Sequence, residues 1–153
     1  MPRNAVHRPK VSRLKMGQKH MLRFALVAMM SMFSTISLAQ DTLLEAMDGY
    51  SGFAPYDAGI ILPVQITDDL FDDFLFIDTR TAEEHAQSTI DGAIHIEWRE
   101  VFSRVDEIPR EQKTILFCNT GALSAQAGFG LRVLGYENVL ILQGGFQDWQ
   151  ATH

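Results

Sequence analysis

Cys118 is the only cysteine among 153 residues. It closes an apolar run, Thr114-Ile115-Leu116-Phe117, and is followed by Asn119-Thr120-Gly121-Ala122-Leu123-Ser124 and a segment of helical character, Ser124 to Leu134. A thiol at a strand end, on a short loop that opens a helix, meets free backbone amides and the positive end of the helix dipole. Both favour the thiolate. An ordinary thiol has a pKa near ~8.5 and is mostly protonated at neutral pH; a helix N-terminus can bring it below ~7. Lowering a pKa by two takes ~2.7 kcal/mol, which several aimed amides can supply. The chemistry would be nucleophilic attack by sulfur. The competing reading is a small buried hydrophobe, inert because burial disfavours the charged form. Placement alone leaves both open.

The elements around the cysteine alternate. Phe74-Leu75-Phe76-Ile77 is a continuous apolar run, as expected of a strand buried on both faces. Thr81-Ala82-Glu83-Glu84 has the pattern of a capping box and predicts a helix start. Asp91-Gly92 marks a turn and Ala93-Ile94-His95-Ile96 a short strand. Trp98 to Val105 reads as helical, with Trp98, Val101, Phe102 and Val105 on one face. Thr114 to Phe117 is the next strand, and Gly135 is the expected stop of the helix behind Cys118. Val139 to Leu142 forms another strand, followed by Gly144-Gly145 and a last helix carrying Trp149. Upstream, Thr42 to Met47 predicts one or two helical turns and Gly49 to Pro63 an irregular lead-in. Leu62 to Ile66 predicts an edge strand with Pro63 at its start. The acids at 68, 69, 72 and 73 read as a solvated face, and their spacing matches no calcium loop. Strands alternating with helices argue for an α/β domain around a parallel sheet, where ligands sit beyond the carboxyl ends of strands.

Residues 1–39 contain no Asp or Glu and seven of the 13 Lys or Arg. From Phe24 to Ala39 the chain is apolar and small, ending in Ser37-Leu38-Ala39. This is the pattern of a cleavable secretory signal, with Met16 or Met21 as alternative starts. The alternative is an uncleaved anchor, although the apolar run is short for a membrane span. Removing 39 of 153 residues leaves 114, one domain's worth of chain. Six basic residues then face 19 acids, a net charge of −13. Nucleic acid and anionic membrane surfaces are poor partners for such a chain, and no stable membrane insertion is expected after processing. A lone cysteine forms no internal disulfide, so in an oxidising compartment it suggests use or deep burial.

Taken in order, the segments resemble a rhodanese (sulfurtransferase) domain. They are Ile77-Asp78-Thr79-Arg80 with Thr81 to Glu84, Ile90-Asp91-Gly92-Ala93-Ile94-His95-Ile96, Leu116-Phe117-Cys118 with Gly121 and Ser124, Leu134-Gly135-Tyr136 with Asn138-Val139, and Gly144-Gly145-Phe146 with Trp149. Each is weak alone; the ordered set is specific. With its leader, the chain is similar to single-domain periplasmic rhodaneses of the phage-shock type. The resemblance implies a central parallel five-stranded sheet flanked by helices, with Cys118 as the sulfur carrier. It divides the chain into a signal over 1–39, a lead-in over 40–61 and the rhodanese-like domain over 62–153.

The expected reaction uses no metal or other cofactor. The Cys118 thiolate takes the sulfane sulfur of a small donor, and a thiol or cyanide-like acceptor removes it. Thiolate and persulfide are both anions, so amides of the loop Asn119, Thr120, Gly121, Ala122, Leu123 and Ser124 would stabilise each. Gly121 permits a tight turn. Ser124 is expected to cap the following helix, with its hydroxyl offered to sulfur as the alternative. Asp78 and Arg80 are expected to tie the strand end to a neighbouring loop or to Glu84. His85 and His95 lack zinc spacing, and Phe146 and Trp149 read as core anchors.

Two departures bear on the donor. Many family members carry arginine in the loop, and this one has none. Ser88-Thr89-Ile90 stands where the family often has Gly-His-Ile. Without an arginine fork, thiosulfate is a doubtful donor, and an arginine at position 122 would be expected to restore it. Phosphoryl chemistry is disfavoured, because Ser124 stands where the related cysteine phosphatases need arginine. The rival function is a non-catalytic module of the same fold that binds a partner protein. A thiol-redox role lacks a resolving cysteine.

Overall fold

The computed structural model describes residues 38–56 and 59–153. The stretch read as a signal therefore lies, up to residue 37, outside the described residues. The chain divides into two units, Met1–Glu45 and Ala46–His153, and the sheet belongs to the second.

Residues 38–53 are helical (α1). The helix continues beyond the expected Met47 into the stretch read as irregular. Gly49 and Gly52 are poor helix formers, by roughly 1 kcal/mol each, but Tyr50 between them is tied down by tertiary contacts. Its ring meets Phe129 edge-on at 5.7 Å, and its hydroxyl accepts from Arg132 Nε at 2.7 Å.

Five parallel strands follow: β1 (Ile60–Ile61), β2 (Leu75–Asp78), β3 (Ile94–His95), β4 (Thr114–Phe117) and β5 (Val139–Leu142), in the spatial order β1-β5-β4-β2-β3. Helices α2 (Ala82–Gln87), α3 (Ala122–Val133) and α4 (Gly145–Thr152) complete the domain. The α/β class with a five-stranded parallel sheet is thus as expected. The alternation of side chains along each strand builds the two cores. One face carries Ile77, Leu116, Val139 and Ile141 and packs with Ala127 and Leu131 of α3. The other carries Phe76, Ile115, Phe117 and Leu142 and packs with Phe146 of α4. Phe146 is buried and Trp149 packs against the same core, as core anchors should.

Two further elements differ from the sequence reading. The edge strand is Ile60–Ile61, and Pro63 opens a 3-10 turn over Pro63–Gln65. Proline loses nothing at the first position of such a turn, where its missing N–H has no partner in any case. Trp98 to Val105 forms a run of turns closed by the short 3-10 segment Val105–Glu107. Val101 fills the core from there, while Arg104 bridges Glu100 and Glu107 and donates to the His95 carbonyl. The Arg104 bond to the His95 carbonyl ties these turns back to β3; the pairs with Glu100 and Glu107 have helical spacing and do not oppose a helix.

The register places the site. Asp78 lies opposite Phe117 across β2 and β4, and Leu116 opposite Ile141 across β4 and β5. The carboxyl ends of three neighbouring strands therefore open onto the loop that carries Cys118. Among the described residues no helix is long and apolar enough to cross a membrane.

Candidate active site

Cys118 leaves β4 and turns into α3 through Asn119, Thr120 and Gly121. Gly121 adopts φ 90°, a left-handed angle that glycine tolerates freely, and stands at the N-cap of α3. The helix thus starts at Ala122, earlier than expected, and Ser124 lies inside its first turn and does not cap it. Fully buried, Ser124 donates from Oγ to the Gly121 carbonyl at 3.0 Å and lies 3.7 Å from Cys118 Sγ. The backbone bond from Ala125 N to Gly121 O already closes the first turn, so the hydroxyl is left to serve the loop and the sulfur.

The loop is held from behind by α4. Phe146 N–H donates to the Cys118 carbonyl at 2.8 Å and Gln147 N–H to the Asn119 carbonyl at 3.1 Å. Such an approach needs glycine at 145: a Cβ there would run into the Cys118 carbonyl and the backbone of Asn119 and Gly121. The Asn119 carbonyl, held back in this way, shares its peptide with the Thr120 amide, which therefore faces away from α4, while the Leu123 and Ser124 amides belong to the first turn of α3. Burial pushes the Cys118 thiol up, but the amides of Ser124 and Thr120, the Ser124 hydroxyl and the Leu123 amide outweigh it. The net result is a thiol pKa below its ordinary value. Only 3% of the residue is exposed, so the sulfur is approached through a cavity of about 330 Å³.

That cavity is lined by Thr79, Arg80, Thr81 and Glu84 from the end of β2 and start of α2, by Glu97, Trp98 and Arg99 from the turn after β3, and by Cys118, Asn119, Thr120 and Leu123. Of the loop residues expected to bind substrate, Asn119, Thr120 and Leu123 line it. Gly121, Ala122 and Ser124 do not. Ala122 is solvent-exposed, and Gly121 and Ser124 work from beneath.

Asp78 and Arg80 form one buried unit. Asp78 accepts from Arg80 Nε at 2.9 Å, Nη2 at 2.6 Å and backbone N–H at 3.0 Å, and from the Thr89 hydroxyl at 2.9 Å. Burial pushes its carboxyl up, but these donors hold it below the usual carboxylate range. Arg80 also donates to the Ser88 carbonyl at 2.6 Å and lies over the Phe146 ring at 4.2 Å. Ser88 and Thr89, at the second departure from the family pattern, thus complete this network. Glu84 is not Arg80's hydrogen-bond partner: it accepts from Asn119 Nδ2 at 2.6 Å and from the Thr81 backbone at 3.1 Å. The Asn119 amide, then the Thr81 backbone, hold Glu84 below the usual range. His85 Nδ1 lies 3.3 Å from Asp78 Oδ2, and His95 Nε2 donates to the Arg80 carbonyl at 2.8 Å. Among the described residues no group of three His, Cys, Asp or Glu is placed to hold a metal ion.

Residues 64–152 match the rhodanese-like domain family, more than half of the chain. The chain belongs to that family. A sulfurtransferase of Allochromatium vinosum is similar to it, 38% identical over 82 residues, 54% of this chain and 76% of that protein. The thiosulfate sulfurtransferase GlpE of Coxiella burnetii is 25% identical over 81 residues, 53% of this chain and 76% of that protein. The crystal structure of a rhodanese-related protein from Thermoplasma volcanium matches with a TM-score of 0.57 at 25% identity, covering 61% of this chain and 91% of that one.

Within this rhodanese-like domain, sequence reading missed three cavity residues that the turn after β3 supplies: Glu97, Trp98 and Arg99. Trp98 and Arg99 were absorbed into an apparent helix. The available signal was position, since they directly follow a strand on the same side of a parallel sheet as Cys118. Thr79 was also missed. Its N–H and hydroxyl both donate to the Phe117 carbonyl at 2.8 Å, and its own carbonyl accepts from Trp98 N–H at 3.1 Å. It stitches the three cavity walls together.

Proposed function

We propose that this rhodanese-like sulfurtransferase carries its sulfur on Cys118. The thiolate attacks the sulfane sulfur of a small donor, the donor's sulfur bond breaks, and the leaving group takes the bonding pair. Cys118 is left as a persulfide anion. A thiol or cyanide-like acceptor then attacks the outer sulfur and returns the thiolate. The same amides face both anions, so little reorganisation separates the two resting states. One observation carries the reading. The amides of Ser124, Thr120 and Leu123 are aimed at a sulfur at the floor of a cavity and outweigh its burial. A degenerate binding module would have no use for that aim.

The test is mass spectrometry of the protein after exposure to a sulfane donor. Cys118 should gain about 32 Da, one sulfur, removable by cyanide. Cys118→Ser should keep the fold and carry none, since an alkoxide does not form at neutral pH. A Cys118→Ser protein that still turns over the donor would disprove the assignment.

The leader composition supports export to the periplasm or beyond, with cleavage after Ala39. The envelope form should then begin at Gln40, and a product retaining residues 24–39 would mean an anchor instead.

A further inference from the structure

The loop around Cys118 has no cation, yet the cavity above it is lined by two arginines, Arg80 and Arg99. They are not equivalent. Arg80 is 6% exposed and committed, through both Nε and Nη2 to Asp78, through Nη2 also to the Ser88 carbonyl, with its guanidinium over Phe146. It cannot turn without abandoning a buried carboxylate. Arg99 is 70% exposed and makes a single side-chain bond, from Nη1 to Glu97 Oε1 at 2.7 Å. Its guanidinium lies 5.1 Å from the Trp98 ring, which limits the directions in which it can swing. An exposed ion pair of this kind contributes at most about 1 kcal/mol, so it can be exchanged. The remaining charged walls, Glu84 and Glu97, are carboxylates, and Glu84 is fixed by Asn119 and Thr81. Among the described residues, an anionic donor entering this cavity meets two negative walls and one guanidinium that is not committed to a buried partner.

We propose that Arg99 is the specificity-determining residue for the sulfur donor, gripping the oxyanion end of a thiosulfate-type donor as those oxygens displace Glu97. This rests on the assignment of Cys118 as sulfur carrier and names the donor class for that site. The planar fork of arginine matches two oxygens of a sulfonate-like group. The grip leaves the outer sulfur directed at Cys118. The thiolate bonds to it, the donor's S–S bond breaks, and sulfite departs with the pair. Charge is conserved, and no proton or oxidant is needed. The guanidinium missing from the loop is thus delivered by the turn after β3, and Glu97 sets the threshold that a donor must exceed.

Single-turnover loading of Cys118, followed by mass against donor concentration, separates the outcomes. Thiosulfate and inorganic tetrasulfide, which has no oxygens, serve as the two donors. Arg99→Gln should raise the half-saturating thiosulfate concentration at least tenfold, with the limiting rate within about threefold, and should shift tetrasulfide, a dianion that shares the charge but not the oxygens, severalfold less. Arg99→Lys should fall between. Glu97→Gln should lower the half-saturating concentration severalfold, and that gain should vanish in the double variant. Equal slowing of both donors in Arg99→Gln would mean a structural role and overturn the inference, as would unchanged thiosulfate loading. A Glu97→Gln gain that persists without Arg99 would reduce Glu97 to simple repulsion and also overturn it. If tetrasulfide loads the unaltered protein and thiosulfate does not, the oxyanion assignment falls while Cys118 remains the carrier. If neither loads, the carrier assignment falls first.

Discussion

Replacing Gly145 by alanine should disturb the nucleophile from behind, without touching the cavity. Gly145 sits at φ 63°, where an L-residue costs roughly 1–2 kcal/mol. The new Cβ would press on the Cys118 carbonyl and on the backbone of Asn119 and Gly121, so the start of α4 must withdraw. Withdrawal breaks the bonds from Phe146 N–H to Cys118 O and from Gln147 N–H to Asn119 O, about 1 kcal/mol each. The loss should reach about 3–4 kcal/mol, a large part of the 5–15 kcal/mol typical of a domain. Once the Asn119 carbonyl is free to rotate, the Thr120 amide of the same peptide loses its aim. Losing the equivalent of one aimed amide, about 1.4 kcal/mol, raises the thiol pKa by about one. Urea denaturation reads the first effect, and the pH dependence of Cys118 alkylation by iodoacetamide reads the second. In the unaltered protein the alkylation midpoint should lie below that of an ordinary thiol, because the loop amides and the Ser124 hydroxyl depress it. In Gly145→Ala it should move to higher pH. A folded variant with a superposable alkylation profile and less than about 1 kcal/mol of lost stability would refute the clamp.

Two further outcomes are expected. Asp78→Asn should cost about 3–5 kcal/mol in urea denaturation, because it strands the buried Arg80 guanidinium. Since the folded Asp78 carboxyl is depressed, its contribution is complete above the unfolded value near ~3.9 and is lost as pH falls through the folded one. The variant's stability should therefore be flatter at acid pH, and an unchanged acid limb would show that Asp78 is not responsible. An added arginine should help thiosulfate loading at Leu123, which lines the cavity, and not at Ala122, which is exposed outside it. Roughly tenfold in kcat/KM is expected from a charge-assisted contact at 123, and a gain at 122 alone would mean that the donor approaches from another side.

Much of the frame was legible because it rests on local rules. The apolar runs at 74–77, 114–117 and 139–142 mark the buried strands found at 75–78, 114–117 and 139–142, and the reciprocal bonds of Thr81 and Glu84 follow from residues three apart. The errors fell where tertiary contacts outvote local preference. Tyr50 holds a helix through two glycines by reaching Arg132, 82 positions away. The amphipathic segment from Trp98 is instead a run of turns, which Arg104 ties back to the His95 carbonyl at the end of β3. Ser124 looked like a cap because caps favour serine, yet the left-handed Gly121 took that place and left the hydroxyl to the sulfur.

The candidate site shows the same division more sharply. The identity of the nucleophile was local: one thiol, at a strand end, before a helix. Its activation is not local. The Ser124 and Leu123 amides come with the first turn of α3, but the Thr120 amide is turned by its peptide partner, the Asn119 carbonyl, which α4 holds from more than twenty residues downstream, and that contact exists only because position 145 has no side chain. A guanidinium at the cavity likewise comes from a distance, from Arg99 in the turn after β3, a strand that is not even β4's neighbour. In a parallel sheet every strand ends on the same side, so a group missing from one loop can be delivered by another. Charge at such a site is a property of the rim, and no single motif reports it.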